Sequence, residues 1–321
     1  MMLLRHDVNY GMRMSEVMQR NGRFQALLQN PVTMKELRSR MRGRRAFVVL
    51  TVYLLVMSLF LSLVYLAYAS ASGSRFGPDS RQAGKAVFAA VLGVEVFLVI
   101  FIAPAFTAGA ITGEKERQTY DLLRTTLLPA NWFVLGKLLS ALTYVFLLIF
   151  ASIPLQSISF LLGGLSVEEL VIGQLLVLVT AVTFALFGLY CSSVMKSTLA
   201  ASVVTFGGAL FWTAGMPIVV LMFSGFFGSM VFGGSLNWVT EAFLYYGGLT
   251  LAATNLPATM IISEGALLSE NTLLFFTASV GTPSHTITLF SPWPLFLILY
   301  TLAALLLYWA CVRRVKRIAD K

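Results

Sequence analysis

Six stretches of the chain stay apolar for about eighteen residues or more with scarcely a charge, and polar or basic segments separate them. They run 46–69, 86–111, 138–162, 170–195, 198–223 and 295–312. A helix rising 1.5 Å per residue crosses about 30 Å of hydrocarbon in roughly 20 residues, so each run predicts a membrane-spanning helix. Pro104, Pro154 and Pro217 fall inside three of the runs. Lipid-buried helices tolerate proline where neighbours take up the freed carbonyls, and kinks are expected there. The stretch 224–294 is too apolar for an exposed loop, yet Gly233, Gly234, Gly247, Gly248, Pro257, Pro283 and the acids Glu241, Glu264 and Glu270 interrupt every candidate span. Short re-entrant or interfacial helices are the favoured reading, and an extra pair of full spans is the alternative.

Two polar segments are themselves patterned. Before the first span, Met34, Leu37 and Met41 recur at three and four residues, with Lys35, Arg38, Arg42 and Arg45 alongside. An apolar stripe beside a basic one suits a helix in the membrane interface, where anionic headgroups attract the cations, although a bare topology signal reads the same way. This segment, 1–45, precedes a membrane unit of 46–321. Between the second and third spans, over 113–137, Glu114, Arg117, Asp121 and Arg124 fall on one helical face with alternating sign, and Tyr120, Leu123 and Leu127 form a neighbouring apolar face. Pro129 marks the end of that helix. Either its charges are simply solvated, or it is a docking element that carries a partner's movement to the two spans it joins.

Composition narrows the class. With 58% hydrophobic and 12% charged residues and a mean hydropathy of +0.82, the chain is no water-soluble domain. The net charge of +9 does not point to nucleic acid, because Lys and Arg sit in blocks beside apolar runs. Their placement sets orientation: with the N-terminus inside, twenty of the 23 lie on cytoplasmic segments and only Arg75, Arg81 and Lys85 lie outside. Both termini are therefore expected in the cytoplasm. The beginning of the chain is polar and basic and the first run is too long for a signal peptide, so that run is expected to remain as an anchor. Trp293, Tyr308 and Trp309 sit where aromatic belts sit and read as anchors only.

Candidate chemistry is sparse. Cys191 and Cys311, each near the end of an apolar run, build neither a disulfide framework nor a metal site. A phosphate-binding Gly-x-x-x-x-Gly-Lys-Ser/Thr loop is missing, and Gly136-Lys137-Leu138 has the wrong third residue. His6 and His285 lie outside the spans, and no His-Glu-x-x-His occurs, which disfavours an intramembrane metalloprotease. The chain is thus expected to bind no cofactor and to be no enzyme. Glu95, about ten residues into the second span, is the one clear intramembrane acid. It lines or gates a pathway, or else makes an interhelical hydrogen bond to a Ser, Thr or Tyr. Gly207, Gly208 and Gly215 in the fifth span permit close helix approach and are the candidate dimer contact.

The stretch Gly113-Glu-Lys-Glu-Arg-Gln-Thr-Tyr-Asp-Leu-Leu-Arg-Thr-Thr, followed by Pro129 and Gly136-Lys137-Leu138, resembles the cytoplasmic segment between spans two and three of the ABC-2 type permeases. These are the membrane subunits of type-2 ATP-binding-cassette exporters. Asn30-Pro31 to Arg38, with Arg42-Gly43-Arg44-Arg45, is similar to that family's entry helix. The likeness covers most of the chain in span order, although 224–294 follows the family pattern poorly and Asp121 stands where Glu is as frequent. It implies an all-α integral membrane protein whose 113–137 segment is a coupling helix, with Glu114, Glu116, Arg117, Thr119, Asp121 and Leu122 contacting a nucleotide-binding subunit. Two permease subunits would pair with two such ATPases, which hold the ATP and Mg, in a prokaryotic inner or plasma membrane. The readings kept beside it are a membrane scaffold docking a non-ATPase partner and an ion-coupled secondary transporter.

Overall fold

The computed structural model describes residues 44–71, 80–118, 129–163, 165–222, 238–270, 273–280 and 285–319. Six of its helices are long and apolar enough to span a membrane. They are α1 (Arg44–Ala71), α2 (Ser80–Thr107), α4 (Ala130–Leu161), α5 (Val167–Val194), a fifth that starts as α6 (Thr198–Leu210), and α9 (Pro292–Ala319). A short helix, α3 (Thr112–Glu116), follows α2 after one turn. Several helices outrun their apolar runs: α4 starts at Ala130 rather than 138, and α9 covers Pro292–Ala319 where the run is 295–312. The reason is that hydropathy marks the hydrocarbon while backbone chemistry marks the helix end. Pro129 is extended and stands at the N-cap of α4, Ser166 and Glu169 form a capping box on α5, and Ser197 accepts from the Ala200 N–H at the start of α6.

α5 lies at the centre, packed against α2, α4, α6 and α9, and α1 lies outside against α2 and α4. Half of the apolar window of α2, α4 and α5 is buried within the chain, against 11% for the first and fifth spans, so those two present open faces to lipid or a partner. α2 and α5 approach closely at Gly188, where a Cβ would run into Thr107 Oγ1.

The fifth span is not a plain α-helix. It passes through a π-helical turn at Phe211–Gly215 and then runs on to Met222. Pro217 has no N–H for the Thr213 carbonyl, and Asn255 Nδ2 supplies the replacement, donating to the carbonyls of Trp212 (2.9 Å) and Thr213 (3.1 Å). Trp212 Nε1 in turn donates to Thr254 O, which also accepts from Tyr300 Oη of α9.

Asn255 belongs to the region before the last span. Two helices lie there, α7 (Trp238–Ala252) and α8 (Leu256–Glu270), each of 15 residues. At 1.5 Å per residue each is about 22 Å long, too short to cross, so the described residues hold no extra pair of full spans. The fold is that of an all-α integral membrane protein, to which the structure adds one element not expected from the apolar runs: β1 (Phe275–Val280) and β2 (His285–Phe290) form an antiparallel hairpin in register from Phe275↔Phe290 to Val280↔His285. Thr277, Thr286, Ile287 and Thr288 favour the pleated chain, a preference that a search for long apolar runs does not register. The hairpin is held by Tyr246 Oη donating to Thr288 O, by Trp238 stacked on His285, and by Ser291 N and Trp293 Nε1 donating to Leu274 O and Leu273 O. Trp293, expected from sequence only as an anchor, is thus a hydrogen-bonded strut.

Candidate functional site

The polar residues after α2 gather where four spans end. α2 stops at Thr107, a turn covers residues 108–111, and the N–H groups of Ile111 and Thr112 at the start of α3 need an acceptor from outside the helix. Ser192 of α5 supplies the acceptor: its Oγ receives the N–H of Ile111 (2.9 Å) and of Thr112 (3.0 Å). From α3 outward, Glu114 Oε1 accepts from Lys137 Nζ of α4 at 2.8 Å, with Lys137 almost wholly buried and lying over the Phe133 ring. Lys115 Nζ donates to Ser193 O at the end of α5 at 2.8 Å. The Glu116 carboxylate accepts from Thr198 N (2.7 Å) and from Thr198 Oγ1 at the start of α6.

Glu114 and Glu116 bond to the chain's own spans, and both Glu116 and Arg117 are exposed. The helix expected to run unbroken to Pro129 ends at Arg117, because Gln118 takes the left-handed conformation with φ of 57°. Thr119, Asp121 and Leu122 lie outside the described residues, as do Lys35, Arg38 and Arg42; Arg45 falls in the first turn of α1.

Glu95 is fully buried among α2, α4 and α5. Its Oε1 accepts from Ser152 Oγ at 2.6 Å, and its Oε2 accepts from the side-chain amides of Gln156 and of Gln174 (3.0 Å). Gln174 also donates to Gln156 Oε1 at 2.9 Å. The hydrogen-bonding alternative describes this arrangement, with two amides in place of the expected Thr or Tyr. Gln156 and Gln174 were visible as uncharged amides inside apolar runs, but a search for intramembrane acids passes over them.

Of the three candidate contact glycines, Gly208 faces inward, where a Cβ would lie 2.8 Å from Phe187 of α5. Gly215 lies against Phe211 of its own span, and Gly207 faces open space. A cavity of about 730 Å³ opens between α2, the fifth span and α8. Leu92, Val96, Phe97 and Phe101 form much of its wall, and its two charged lining residues are Lys85 and Glu264. Burial, reinforced by the nearby Glu169 carboxylate, pushes the Glu264 carboxyl above its ordinary range, and Lys85 acts the other way. Glu95 is not part of this wall. Among the described residues no group of three or more His, Cys, Asp or Glu side chains is placed to hold a metal ion, and both cysteines are buried and free.

Residues 31–313 match the family described as ABC-2 family transporter protein. No curated protein matches the chain.

Proposed function

Because the chain belongs to the ABC-2 transporter family, and is thus a multi-pass permease component of an ABC transporter in the cell membrane, we propose that it forms the translocation pathway of an exporter. ATP and Mg are bound by a separate ATP-binding subunit, two copies of which pair with two copies of this chain. The observation that carries the reading is the family match itself, which runs through all six spans rather than one of them. Lys and Arg placement supports a cytoplasmic position for both termini and hence for α3 and the first turns of α4 and α6.

On this reading, closure of the ATPase subunits presses on the chain from Arg117 to Leu128, and the push reaches the bundle where α3 joins α4, α5 and α6. The route outward is served by the cavity between α2, the fifth span and α8. Its apolar walls with one cationic and one acidic group suit an amphipathic, lipid-like molecule better than a compact ion. An ion-coupled mechanism is less well supported, since Glu95, the acid deepest in the described spans, already has three donors and lines no part of this cavity.

The test is affinity purification of the full chain from detergent-solubilised native membranes, beside a variant carrying Arg117→Glu and Asp121→Arg. Glu114 is a poor probe because its reversal would break the ion pair with Lys137. A P-loop ATPase should copurify with the parent and be lost from the variant. An intact permease that brings down a different protein, and no ATPase, would replace this reading with the scaffold one.

A further inference from the structure

We propose that the Thr112–Glu116 turn is a three-way clamp that delivers displacement of the following segment to α4 and to the ends of α5 and α6, with Glu116 as the positioning residue for α6. The inference rests on the functional reading above. Three consecutive side chains leave the turn toward three helices: Glu114 to Lys137 Nζ at 2.8 Å, Lys115 to Ser193 O at 2.8 Å, and Glu116 to Thr198 N at 2.7 Å. Successive helical side chains diverge by about 100°, so neighbours reach three partners only where the turn sits among three helices.

Two of the pairings also suit the helix end they meet. Glu116 satisfies a free N–H at the positive end of α6, and Lys115 satisfies a carbonyl at the negative end of α5. Ser192 holds the Ile111 and Thr112 N–H groups, so α3 is fixed from both sides. A push arriving through the left-handed bend at Gln118 therefore meets a junction that moves as a unit or breaks these bonds.

The fifth span is the one set to respond. α4 and α5 are half buried, whereas only 11% of the fifth span's apolar window is buried within the chain. Beyond Thr198 it runs as α6 to the π-helical turn, where Thr213 and Ala214 line the 730 Å³ cavity. A shift of Thr198 by Glu116 thus has a direct path to the cavity wall.

The experiment uses the full chain copurified with its ATPase. Ala214→Cys is introduced, and the rate of maleimide labelling is compared with and without ATP; Cys191 and Cys311 are buried. With Glu116 present, ATP should change the rate several-fold. Glu116→Ala should abolish the change while copurification and ATP hydrolysis persist, and Glu116→Gln, whose amide oxygen still accepts, should keep most of it. Thr198→Val, made on the other side of the contact, should reduce the response in the same direction. An unchanged ATP response in Glu116→Ala overturns the clamp. Loss of the ATPase from that variant overturns it too, by assigning Glu116 to the partner surface. If the parent itself copurifies with no ATPase, or labels at one rate with and without ATP, the functional reading fails and the clamp falls with it.

Discussion

A carboxylate in hydrocarbon is costly unless each oxygen finds a donor, and Glu95 has Ser152 on one oxygen and Gln156 and Gln174 on the other. Those donors come from two other helices, so the acid ties α2 to α4 and α5. Replacing Glu95 with Ala removes the acceptor that all three share, and each buried polar group left orphaned costs about 1–3 kcal/mol. The thermal midpoint of the detergent-solubilised protein should fall clearly in Glu95→Ala and much less in Glu95→Gln, which retains an acceptor. A midpoint unmoved in both, with transport lost, would make Glu95 a gating group instead. Gly208 poses a different question at the same scale. Expected from sequence to sit at a subunit contact, it lies where a Cβ would be 2.8 Å from Phe187. Gly208→Leu should therefore force α5 and α6 apart and lower the thermal midpoint of the single subunit, whether or not a dimer forms; an unaltered midpoint would show that Phe187 can swing away.

At the scale of elements, the fifth span depends on a residue far along the chain. Asn255 donates to the carbonyls of Trp212 and Thr213, beside the π-helical turn and the proline that follows it. Asn255→Leu leaves both carbonyls without that donor in a region short of water. We expect faster cleavage by added protease at the junction of α7 and α8, and a midpoint lower by an amount comparable with losing one or two buried hydrogen bonds, each about 1 kcal/mol net. Unchanged cleavage would mean that Trp212 and Tyr300, through Thr254 O, hold the junction unaided. The elements differ in how openly the sequence declares them. The six spans are legible because a long apolar run has one structural solution in a bilayer. The break at Gln118 is not, because the alternating charges of 114–124 fit a continuous helix and no glycine or proline announces the left-handed backbone at Gln118. Asn255 is equally silent: nothing local marks a lone Asn two residues before Pro257, and its task is set by Pro217, 38 positions earlier. The β-hairpin was hidden because its residues alternate only weakly in polarity within an apolar region.

For the whole molecule, the question is which exposed face receives a second copy. α1, the fifth span and α9 all present apolar side chains outward, and lipid covers such faces as readily as protein does. On α6, Leu199, Val203, Gly207 and Leu210 recur at four, four and three residues along one exposed stripe, with open space above Gly207. In a bilayer, where apolar area alone gives no drive to associate, a small residue among larger ones lets a second backbone approach and gain packing contacts. The α9 stripe of Leu302, Leu305, Leu306 and Trp309 has no such gap. Val203→Cys should therefore crosslink one subunit to another in membranes, and Leu305→Cys should not. Gly207→Leu should suppress that crosslink without lowering the thermal midpoint of the subunit, since nothing within 4 Å of its added Cβ belongs to the chain. The contrast with Gly208→Leu makes the outcome readable: one glycine keeps α6 close to its own bundle, and its neighbour faces outward. Crosslinking through Leu305 and not through Val203 would move the subunit contact to α9 and leave Gly207 facing lipid.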